Sequence, residues 1–264
     1  MKELTIEELK QYQLGILRSV HDFCEKNGLK YSLWGGSLLG AVRHDGYIPW
    51  DDDIDICMTR EDYNYFVSNF DSDRFGVKSC EKDKLYPYPF AKAYDKNTKK
   101  VEPIYVDKNF EIGVDIDIFP IDCIKNENIT KKKHYKKRKK YILLRNFAII
   151  KAVKIKSLKD LLKKILAAWF NGKANKYSQK INNLSMEMTD KQGSRILFAD
   201  SNLINPLVID NSIFDKYELH KFENDNFNIV SGYDRLLKLC YGDYLQLPPI
   251  EKRVAHHSFK AYLR

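Results

Sequence analysis

Apolar residues near the start of the chain recur every three or four positions, which is the spacing of one buried helix face. Thr5 and Glu8 form a capping-box pattern ahead of them, and Asn27-Gly28 is a typical helix end. The pattern therefore predicts a long amphipathic helix, whose buried positions are Ile6, Leu9, Ile16, Leu17, Val20 and Phe23.

A short apolar strand, Tyr31 to Trp34, then leads into the turn Gly35-Gly36-Ser37, and a short helix is expected from Ser37 to Val42. A strand that feeds a glycine turn and a helix N-terminus exposes backbone N–H groups, which suit phosphate oxygens. Taken alone the turn is a weak signal, because most turns of this kind bind nothing.

Two segments alternate between aspartate and apolar residues, as a strand with one acidic and one apolar face does. The first covers residues 51–58 and the second residues 114–118, with Pro120 expected to end the second strand. We expect the two acidic strands to be neighbours in one sheet. Their acidic positions are Asp51, Asp53, Asp55, Asp115 and Asp117.

Caps, turns and periodicity predict the other elements. They are a helix after Thr59, a strand from Phe90 to Tyr94 with a hairpin turn at Asp95-Lys96-Asn97, a helix through residues 130–150, a helix after Ser157, a strand region from Phe214 to Phe222, and a helix from Tyr233 to Tyr241. We expect an α/β (α+β) fold, in which a small mixed sheet carries the acidic residues and helices flank it. The expected organisation is a single domain, 1–264, with a lysine-rich helical insert at 130–195.

Composition favours a soluble protein of a reducing compartment. Hydrophobic residues are 44% and charged residues 31% of the chain, and no apolar run is long enough to cross a bilayer. The first residues lack a secretory signal, and the five cysteines contain no CxxC pair. We therefore expect a cytoplasmic location, without a disulfide framework or a zinc site.

The net charge of +9 is concentrated between Lys131 and Lys164. This excess indicates anionic partners, although a lysine run is also a common solvated surface. The helix after Ser157 suits either an ordinary packed helix or peripheral contact with an anionic membrane. Nucleic acid is an unfavoured partner, because the basic residues are not interleaved with stacking aromatics. The apolar stripe of this helix comprises Leu158, Leu161, Leu162, Ile165, Leu166 and Trp169.

The acidic strands match the needs of phosphoryl transfer, which are positioning and charge neutralisation. Carboxylates held close together repel unless a cation neutralises them, and Mg²⁺ (or Mn²⁺) binds carboxylates together with substrate phosphates. Asp53 and Asp55 would hold the metal, and Asp117 would complete the site and could act as base. The expected ligands of the donor phosphates are Arg43, Lys92, Gly36 and Ser37.

Each assignment has a structural alternative. An alternating aspartate strand can be a solvated face, Arg43 can pair with an aspartate, and Lys92 can be exposed on a loop. We expect His44 to pack in its turn rather than to act in catalysis.

Four segments of the chain resemble the LicD family, which is also seen in the fukutin-related proteins. They are WGGSLLGAVRHDGYIPWDDDIDI (Trp34 to Ile56), FAKAYDKNT (Phe90 to Thr98), DIDIFPID (Asp115 to Asp122) and YGDYLQLPPIEKRVAHH (Tyr241 to His257). The first is long and highly specific, whereas the lysine-rich middle of the chain matches no motif of the family. The resemblance implies a metal-dependent transferase with the nucleotidyltransferase fold.

The resemblance also implies the reaction, which is transfer of a phosphate-linked group from a cytidine-diphosphate donor to a sugar hydroxyl. The donor would be CDP-choline or another CDP-alcohol. The acceptor would be a glycan or teichoic acid precursor, expected on a lipid carrier at the inner face of the cell membrane.

Site residues follow from the motifs in the same way. Asp53 and Asp55 resemble the paired metal ligands of the family, and Asp117 resembles the third carboxylate. Asp115 is left outside the site. The remaining implied roles are the phosphate turn for Gly36 and Ser37, substrate or Arg43 binding for Asp51, and lining of the donor pocket or support of the acidic strand for His256 and His257.

A second enzyme class fits the turn and the carboxylates equally, namely a nucleotidyltransferase that modifies a small-molecule hydroxyl with a nucleoside triphosphate. The leaving group separates the two, because it is pyrophosphate in one reaction and CMP in the other. A membrane adaptor with an inactive site fits less well, since all candidate ligands are present as aspartates.

Overall fold

The fold is taken from a computed structural model of the chain, which describes residues 1–101, 110–124, 132–150, 157–190, 195–198, 208–254 and 259–264. Helices and strands alternate along these residues, and the expected α+β class is confirmed. The elements are β1 (Lys2–Glu3), α1 (Ile6–Asn27), β2 (Tyr31–Leu33), α2 (Gly35–His44), β3 (Asp55–Thr59), α3 (Arg60–Asn69), β4 (Phe75–Lys78), β5 (Ala91–Asp95), β6 (Thr98–Val101), β7 (Asp115–Ile124), α4 (Lys132–Ile149), α5 (Leu158–Phe170), α6 (Ala174–Met186), β8 (Arg195–Phe198), β9 (Val208–Asp210), β10 (Tyr217–Phe222), β11 (Asp225–Val230), α7 (Tyr233–Tyr241) and β12 (Lys260–Leu263).

A mixed sheet of seven strands forms the centre of the protein. Its order is β2-β3-β7-β5-β4, with β8 beside the second half of β7 and β9 beside β8. Strands β3 and β7 run parallel, and the other described pairs of this sheet are antiparallel. A three-stranded sheet, β1-β12-β6, and the hairpin β10-β11 lie outside it.

Helix α1 packs on this sheet by the apolar face that the sequence predicts. Its capping box is present, since Glu8 N–H donates to Thr5 Oγ1 and Thr5 N–H donates to the Glu8 carboxylate. Gly28 ends the helix in the left-handed conformation, at φ 66°. Most predicted face positions are buried, which stabilises the fold by about 1.5–3 kcal/mol for each large side chain. Ile6 is an exception, because it lies in the exposed first turn.

The first acidic strand begins later than predicted. Strand β3 starts at Asp55, and residues 51–54 are irregular. Their burial still alternates as in a strand, with Asp52 and Ile54 buried. They have no neighbour to pair with on the β2 side, because β2 ends at Leu33 and α2 begins at Gly35, earlier than the expected Ser37.

The second acidic strand continues through Pro120, where we expected it to end. Pro120 lacks an N–H group, so it fits a strand only where no bond from that group is needed. The pairing of β7 with β5 ends at Ile118, and its pairing with β8 begins at Ile121. Pro120 therefore sits in the gap between two neighbours along the same edge of β7.

The turn at Asp95-Lys96-Asn97 exists, but the hairpin predicted around it is wrong. Strand β5 is paired with β4 along one edge and with β7 along the other. Neither edge of β5 is therefore available for pairing with β6. Strand β6 instead pairs with β12. The strand region predicted at 214–222 also differs, since a 3₁₀ turn (Asn211–Phe214) precedes β10, and its partner β11 was not predicted.

The lysine-rich middle of the chain forms α4, α5 and α6, the last of which was not predicted. Asn175 of α6 donates to the backbone carbonyls of Cys80, Asp83 and Tyr86, at 2.9–3.1 Å. These bonds tie α6 to the loop between β4 and β5. The single-domain organisation and the insert bounds 130–195 stay predictions. Within the described ranges, no helix combines the length and apolar character that a membrane span needs.

Candidate active site

Two neighbouring strands place Asp55 and Asp117 side by side. In the parallel pair β3–β7, Asp55 lies opposite Asp117, and the Asp117 N–H donates to the carbonyl of Ile54 at 2.9 Å. The prediction that the two acidic strands are sheet neighbours is therefore confirmed. Because side chains at paired positions of adjacent strands point to the same face, the two carboxylates share one surface.

The irregular segment before β3 brings three more carboxylates to the same region. Ligand oxygens of Asp51, Asp52 and Asp53 all lie within 4.8 Å of one another. Asp53 belongs to this cluster and to the set expected from the sequence. Asp52 was not predicted, because the alternation rule places its side chain on the opposite, buried side of a strand.

The glycine turn lies directly against the carboxylates. Gly35 has φ 55°, and a Cβ atom there would stand 3.1 Å from an Asp55 carboxylate oxygen; at Gly36 it would stand 2.6 Å from one of Asp51. Ser37 Oγ accepts a hydrogen bond from the Asp55 N–H at 2.9 Å, which fixes the start of β3 on α2. The predicted contacts of Gly36 and Ser37 with a donor phosphate stay predictions.

Gly36→Ala is expected to separate activity from stability. Alanine favours helix by up to about 1 kcal/mol over glycine, so the fold should be kept. The new methyl group must displace the Asp51 carboxylate, and kcat/KM should fall on the order of tenfold or more. Thermal melts and transfer assays measure both. Gly15→Ala is the matched control, because its Cβ would meet nothing within 4 Å; equal loss of activity in both variants contradicts the prediction.

Burial is the main cause that raises the pKa of both paired carboxyl groups, and neighbouring negative charges raise it further. For Asp55 the pKa is raised well above its usual value by burial first, then by the charges of Asp53 and Asp117. For Asp117 burial raises the pKa to about 6, against the attraction of the Lys92 ammonium. Ionisation of these two groups is therefore disfavoured in the metal-free chain, and a bound cation would favour their charged form.

Metal binding is therefore expected to weaken below about pH 6, where protons compete for Asp117. Each displaced proton lowers the apparent affinity by about tenfold per pH unit. The Mg²⁺-dependent rise in melting temperature should shrink as the pH falls.

Without Mg²⁺, the stability of the folded protein should instead fall as the pH rises. The raised pKa means that the folded chain binds this proton more tightly than the unfolded chain. Stability contributed by Asp117 is thus lost as the pH rises from 3.8 to about 6. Melts with and without Mg²⁺ across this range check both signs, and a pH-independent Mg²⁺ effect contradicts them.

Lys92 is buried in β5 rather than exposed on a loop, so that alternative is wrong. It lies opposite Asp117 across the β5–β7 pair, and its ammonium contacts Asp117 and, at 3.0 Å, Asp115. Lys100 also donates to Asp115, at 3.1 Å. Burial alone would raise the pKa of Asp115, but Lys100 and Lys92 together lower it. Asp115 is thus an ion-paired residue. Its omission from the site and a phosphate contact for Lys92 both stay predictions.

The carboxylates fit a divalent cation of the Mg²⁺ class. Such ions take oxygen ligands only, and Asp51, Asp52, Asp53, Asp55 and Asp117 supply oxygens. Burial is the first cause of the raised pKa of Asp55, and the negative charges of Asp53, Asp117 and Asp51 raise it further.

A cleft of about 650 Å³ opens at the other end of α2, and Arg43, Trp50 and Arg253 line it. Arg43 donates to His44 Nε2 at 3.0 Å and to the Tyr244 carbonyl at 2.8 Å. Arg253 stacks on Trp50, with 5.6 Å from its guanidinium carbon to the ring centroid. Within the described ranges neither arginine pairs with a carboxylate, so the expected alternative of an Arg43–aspartate pair is not observed.

Burial lowers the pKa of Arg43, and the positive charge of Arg253 lowers it further. Two arginines that repel each other across a cleft favour an anionic ligand between them. His44 packs edge-on against Trp50, at 6.3 Å between ring centroids, in line with the expectation that it packs in its turn. His256 and His257 lie outside the described residues, and their roles stay predictions.

Gln13 is a second residue that sequence reasoning missed. It is 1% exposed, and its amide donates to the Asp52 carbonyl at 3.0 Å and to the Asp115 carbonyl at 3.4 Å. Its oxygen accepts from the Tyr47 hydroxyl at 3.1 Å. The one available signal was a glutamine on the apolar face of α1. Arg253 had a signal too, since it lies in the motif from Tyr241 to His257.

Comparison with known proteins places this site in a family. A family model described as LicD/FKTN/FKRP, nucleotidyltransferase domain, matches residues 28–149, which include all the carboxylates above. The lipopolysaccharide cholinephosphotransferase LicD of Haemophilus influenzae is 30% identical over 271 residues, covering 100% of both chains. The human ribitol 5-phosphate transferase FKRP is 44% identical over 57 residues, which are 22% of this chain and 10% of that protein. The chain therefore belongs to the LicD family.

Proposed function

We propose that the protein moves phosphocholine, or a related phospho-alcohol, from a CDP-linked donor to a sugar hydroxyl of a cell-surface glycan or teichoic acid precursor. The observation that carries this is the in-register pair Asp55 and Asp117 beside the glycine turn of α2. As a LicD family member the chain is a LicD-type phosphotransferase. The names of its relatives, a cholinephosphotransferase and a ribitol 5-phosphate transferase, supply the kind of group transferred.

We assign Asp53, Asp55 and Asp117 to a divalent cation, Mg²⁺ or Mn²⁺. When bound, the ion supplies positive charge that stabilises the phosphate oxygens during transfer. In the reaction the acceptor hydroxyl oxygen bonds to phosphorus, and the bond from phosphorus to the CMP oxygen breaks. The hydroxyl proton goes to a carboxylate. We assign that role to Asp117, whose carboxylate lies in register with Asp55.

The residues around the carboxylates hold the reactants. Gly36 and Ser37 lie in the first turn of α2, and backbone N–H groups at a helix N-terminus favour phosphate oxygens. Lys92 keeps Asp117 in place through its ion pair. The cleft with Arg43 and Arg253 is assigned to an anionic part of the substrate, with Trp50 as a flat surface for a ring.

Arg253→Gln is expected to raise the KM for the anionic substrate on the order of tenfold, because a charged hydrogen bond contributes about 1.5–3 kcal/mol. The melting temperature should change little, since Arg253 is half-buried and forms no ion pair within the described ranges. Arg235→Gln removes the same charge from an exposed site on α7 and serves as control. A KM unchanged in the first variant, or raised equally in both, contradicts the assignment.

We further propose that the protein works in the cytoplasm, at the inner face of the cell membrane, on an acceptor carried by a lipid. This follows from the acceptor class, because the relative of Haemophilus influenzae is named for lipopolysaccharide. Soluble sugars that lack a lipid should then be accepted only at high concentration.

Screening of CDP-choline, CDP-glycerol and CDP-ribitol with Mg²⁺ tests the donor. A bound donor raises the melting temperature by mass action, and turnover with acceptor releases CMP. Binding of no cytidine nucleotide with either metal overturns the proposal. Release of pyrophosphate from a nucleoside triphosphate instead moves the protein to the alternative class, a nucleotidyltransferase acting on a small-molecule hydroxyl.

A further inference from the structure

Helix α5 turns its apolar face to solvent. Ala167 is its buried residue, and Phe170 packs edge-on against Tyr177 of α6. Most of the apolar stripe predicted for this helix is exposed to solvent. The alternative that it is an ordinary packed helix is therefore not supported. Soluble proteins rarely expose a contiguous apolar patch unless it binds something. The exposed fractions are 87% for Leu158, 43% for Leu161, 58% for Leu162, 53% for Ile165 and 73% for Trp169.

The helix does not need to bury this face in order to form. Ser157 caps its start, where the Asp160 N–H donates to the serine oxygen at 3.2 Å. Lys173 donates to the Trp169 carbonyl at 2.9 Å and so satisfies the other end. The exposed positions follow the spacing i, i+3, i+4, i+7 and i+11, which places them on one side of a helix about 20 Å long.

Lysines border the apolar face. Lys159, Lys163 and Lys164 are exposed on α5 itself. The acidic residue of α5, Asp160, is engaged with Ser157 at the cap. Helix α4, which packs against α5, adds four more exposed lysines, namely Lys136, Lys137, Lys139 and Lys140. The patch is thus apolar at its centre and cationic at its border, which is the complement of an anionic lipid surface.

We propose that this face of α5 docks on an anionic lipid bilayer. Leu158, Leu162 and Trp169 enter the interface between headgroups and acyl chains, and the bordering lysines contact lipid phosphates. A second copy of the chain is a poorer occupant, because face-to-face packing brings like-charged lysines together. The biological reason for this docking rests on the proposed function, since a lipid-linked acceptor lies at a membrane. The docking itself does not depend on which group is transferred.

Flotation of the full chain with two kinds of vesicle tests this. We expect binding to phosphatidylcholine vesicles that contain phosphatidylglycerol, weaker binding to phosphatidylcholine alone, and a decrease with salt. Leu162→Ser combined with Trp169→Ser should lower binding on the order of tenfold or more. Leu219→Ser is the matched control, because Leu219 is 62% exposed on β10, away from α5. Lys163→Gln should weaken only the part of vesicle binding that depends on phosphatidylglycerol.

Three outcomes overturn the proposal. They are absence of vesicle binding by the wild type, equal binding by the α5 double variant and the Leu219 control, and a concentration-dependent dimer that the double variant alone loses. Circular dichroism confirms that the variants are folded. Vesicle binding without transfer from any CDP donor removes the proposed function and leaves the docking. Transfer to a soluble acceptor without vesicle binding removes the docking and leaves the proposed function.

Discussion

Asp117→Asn is expected to lower transfer on the order of a thousandfold, which corresponds to about 4 kcal/mol of transition-state stabilisation. The amide has the shape of the carboxylate but not its charge, so it can neither neutralise a cation nor accept the hydroxyl proton. Lys92 keeps Asp115 as its ion-pair partner, and the fold should be about as stable as before at neutral pH. The reason is that burial raises the pKa of Asp117 to about 6, so its charged form is disfavoured in the folded chain.

Asp122→Asn is the matched control on the same strand. Asp122 is 0% exposed and forms two bonds with Arg60, at 2.7 and 2.8 Å, and accepts a third from Thr189 at 3.0 Å. Breaking a buried ion pair destabilises by about 3–5 kcal/mol, so this variant should melt earlier but keep activity while folded. Denaturant unfolding and initial rates measure both effects. Equal instability of the two variants would contradict the assignment of Asp117 to the site.

Lys92→Met is expected to destabilise the protein by about 3 kcal/mol, because it leaves the half-buried carboxylate of Asp117 without its ammonium partner. Asp115 keeps Lys100. Lys92 lowers the pKa of both acids, so its removal raises the pKa of each in the folded chain. The loss of stability should therefore grow as the pH rises toward neutral and shrink in acid, where the carboxyl groups are protonated.

Lys99→Met provides the comparison, because Lys99 pairs with Glu111 on the surface and such pairs contribute under about 1 kcal/mol. Urea unfolding of both variants at two pH values measures the difference. Unchanged stability of Lys92→Met with a raised KM for the CDP donor would show instead that Lys92 serves mainly as a phosphate ligand.

Elements with a local signal were predictable. The caps Thr5, Thr59 and Ser157 each begin the expected helix, and Gly28 ends the first one, because a cap satisfies backbone groups within four residues. Asp55 and Asp117 were predicted as neighbours from alternation alone. Their register was not predictable, since the chain between the two strands decides it.

The errors arise where a distant neighbour decides the outcome. Pro120 remains in β7 because β5 and β8 pair with the strand on either side of it. β6 leaves the expected hairpin because β5 already has two neighbours. Residues 51–54 show strand-like burial, but β2 ends before it could pair with them, so the pattern extended β3 too far toward the N-terminus.

Among the site residues, too, those with a local sequence signal were predictable and those placed by distant neighbours were not. Asp51, Asp53, Asp55 and the glycine turn lie in one continuous motif, which made them visible in the sequence. Arg253 and Arg43 line the same cleft although they are more than two hundred positions apart in the sequence. No local sequence pattern predicts that they lie close together. Lys92 was singled out, but its ion pairs with Asp115 and Asp117 depend on the register of β5 and β7.

Gln13 has a consequence for how the metal-free protein behaves. Its amide holds the backbone of Asp52 and of Asp115 at the same time, from a long helix anchored by its own cap. The scaffold of the acidic site is thus pre-organised by a neutral side chain rather than assembled by the ion. Small metal domains unfold when chelators remove the ion, because their ligands have no other support. This protein should instead unfold in one cooperative transition in the presence of a chelator, with its amide hydrogens near Asp52 and Asp115 protected from exchange.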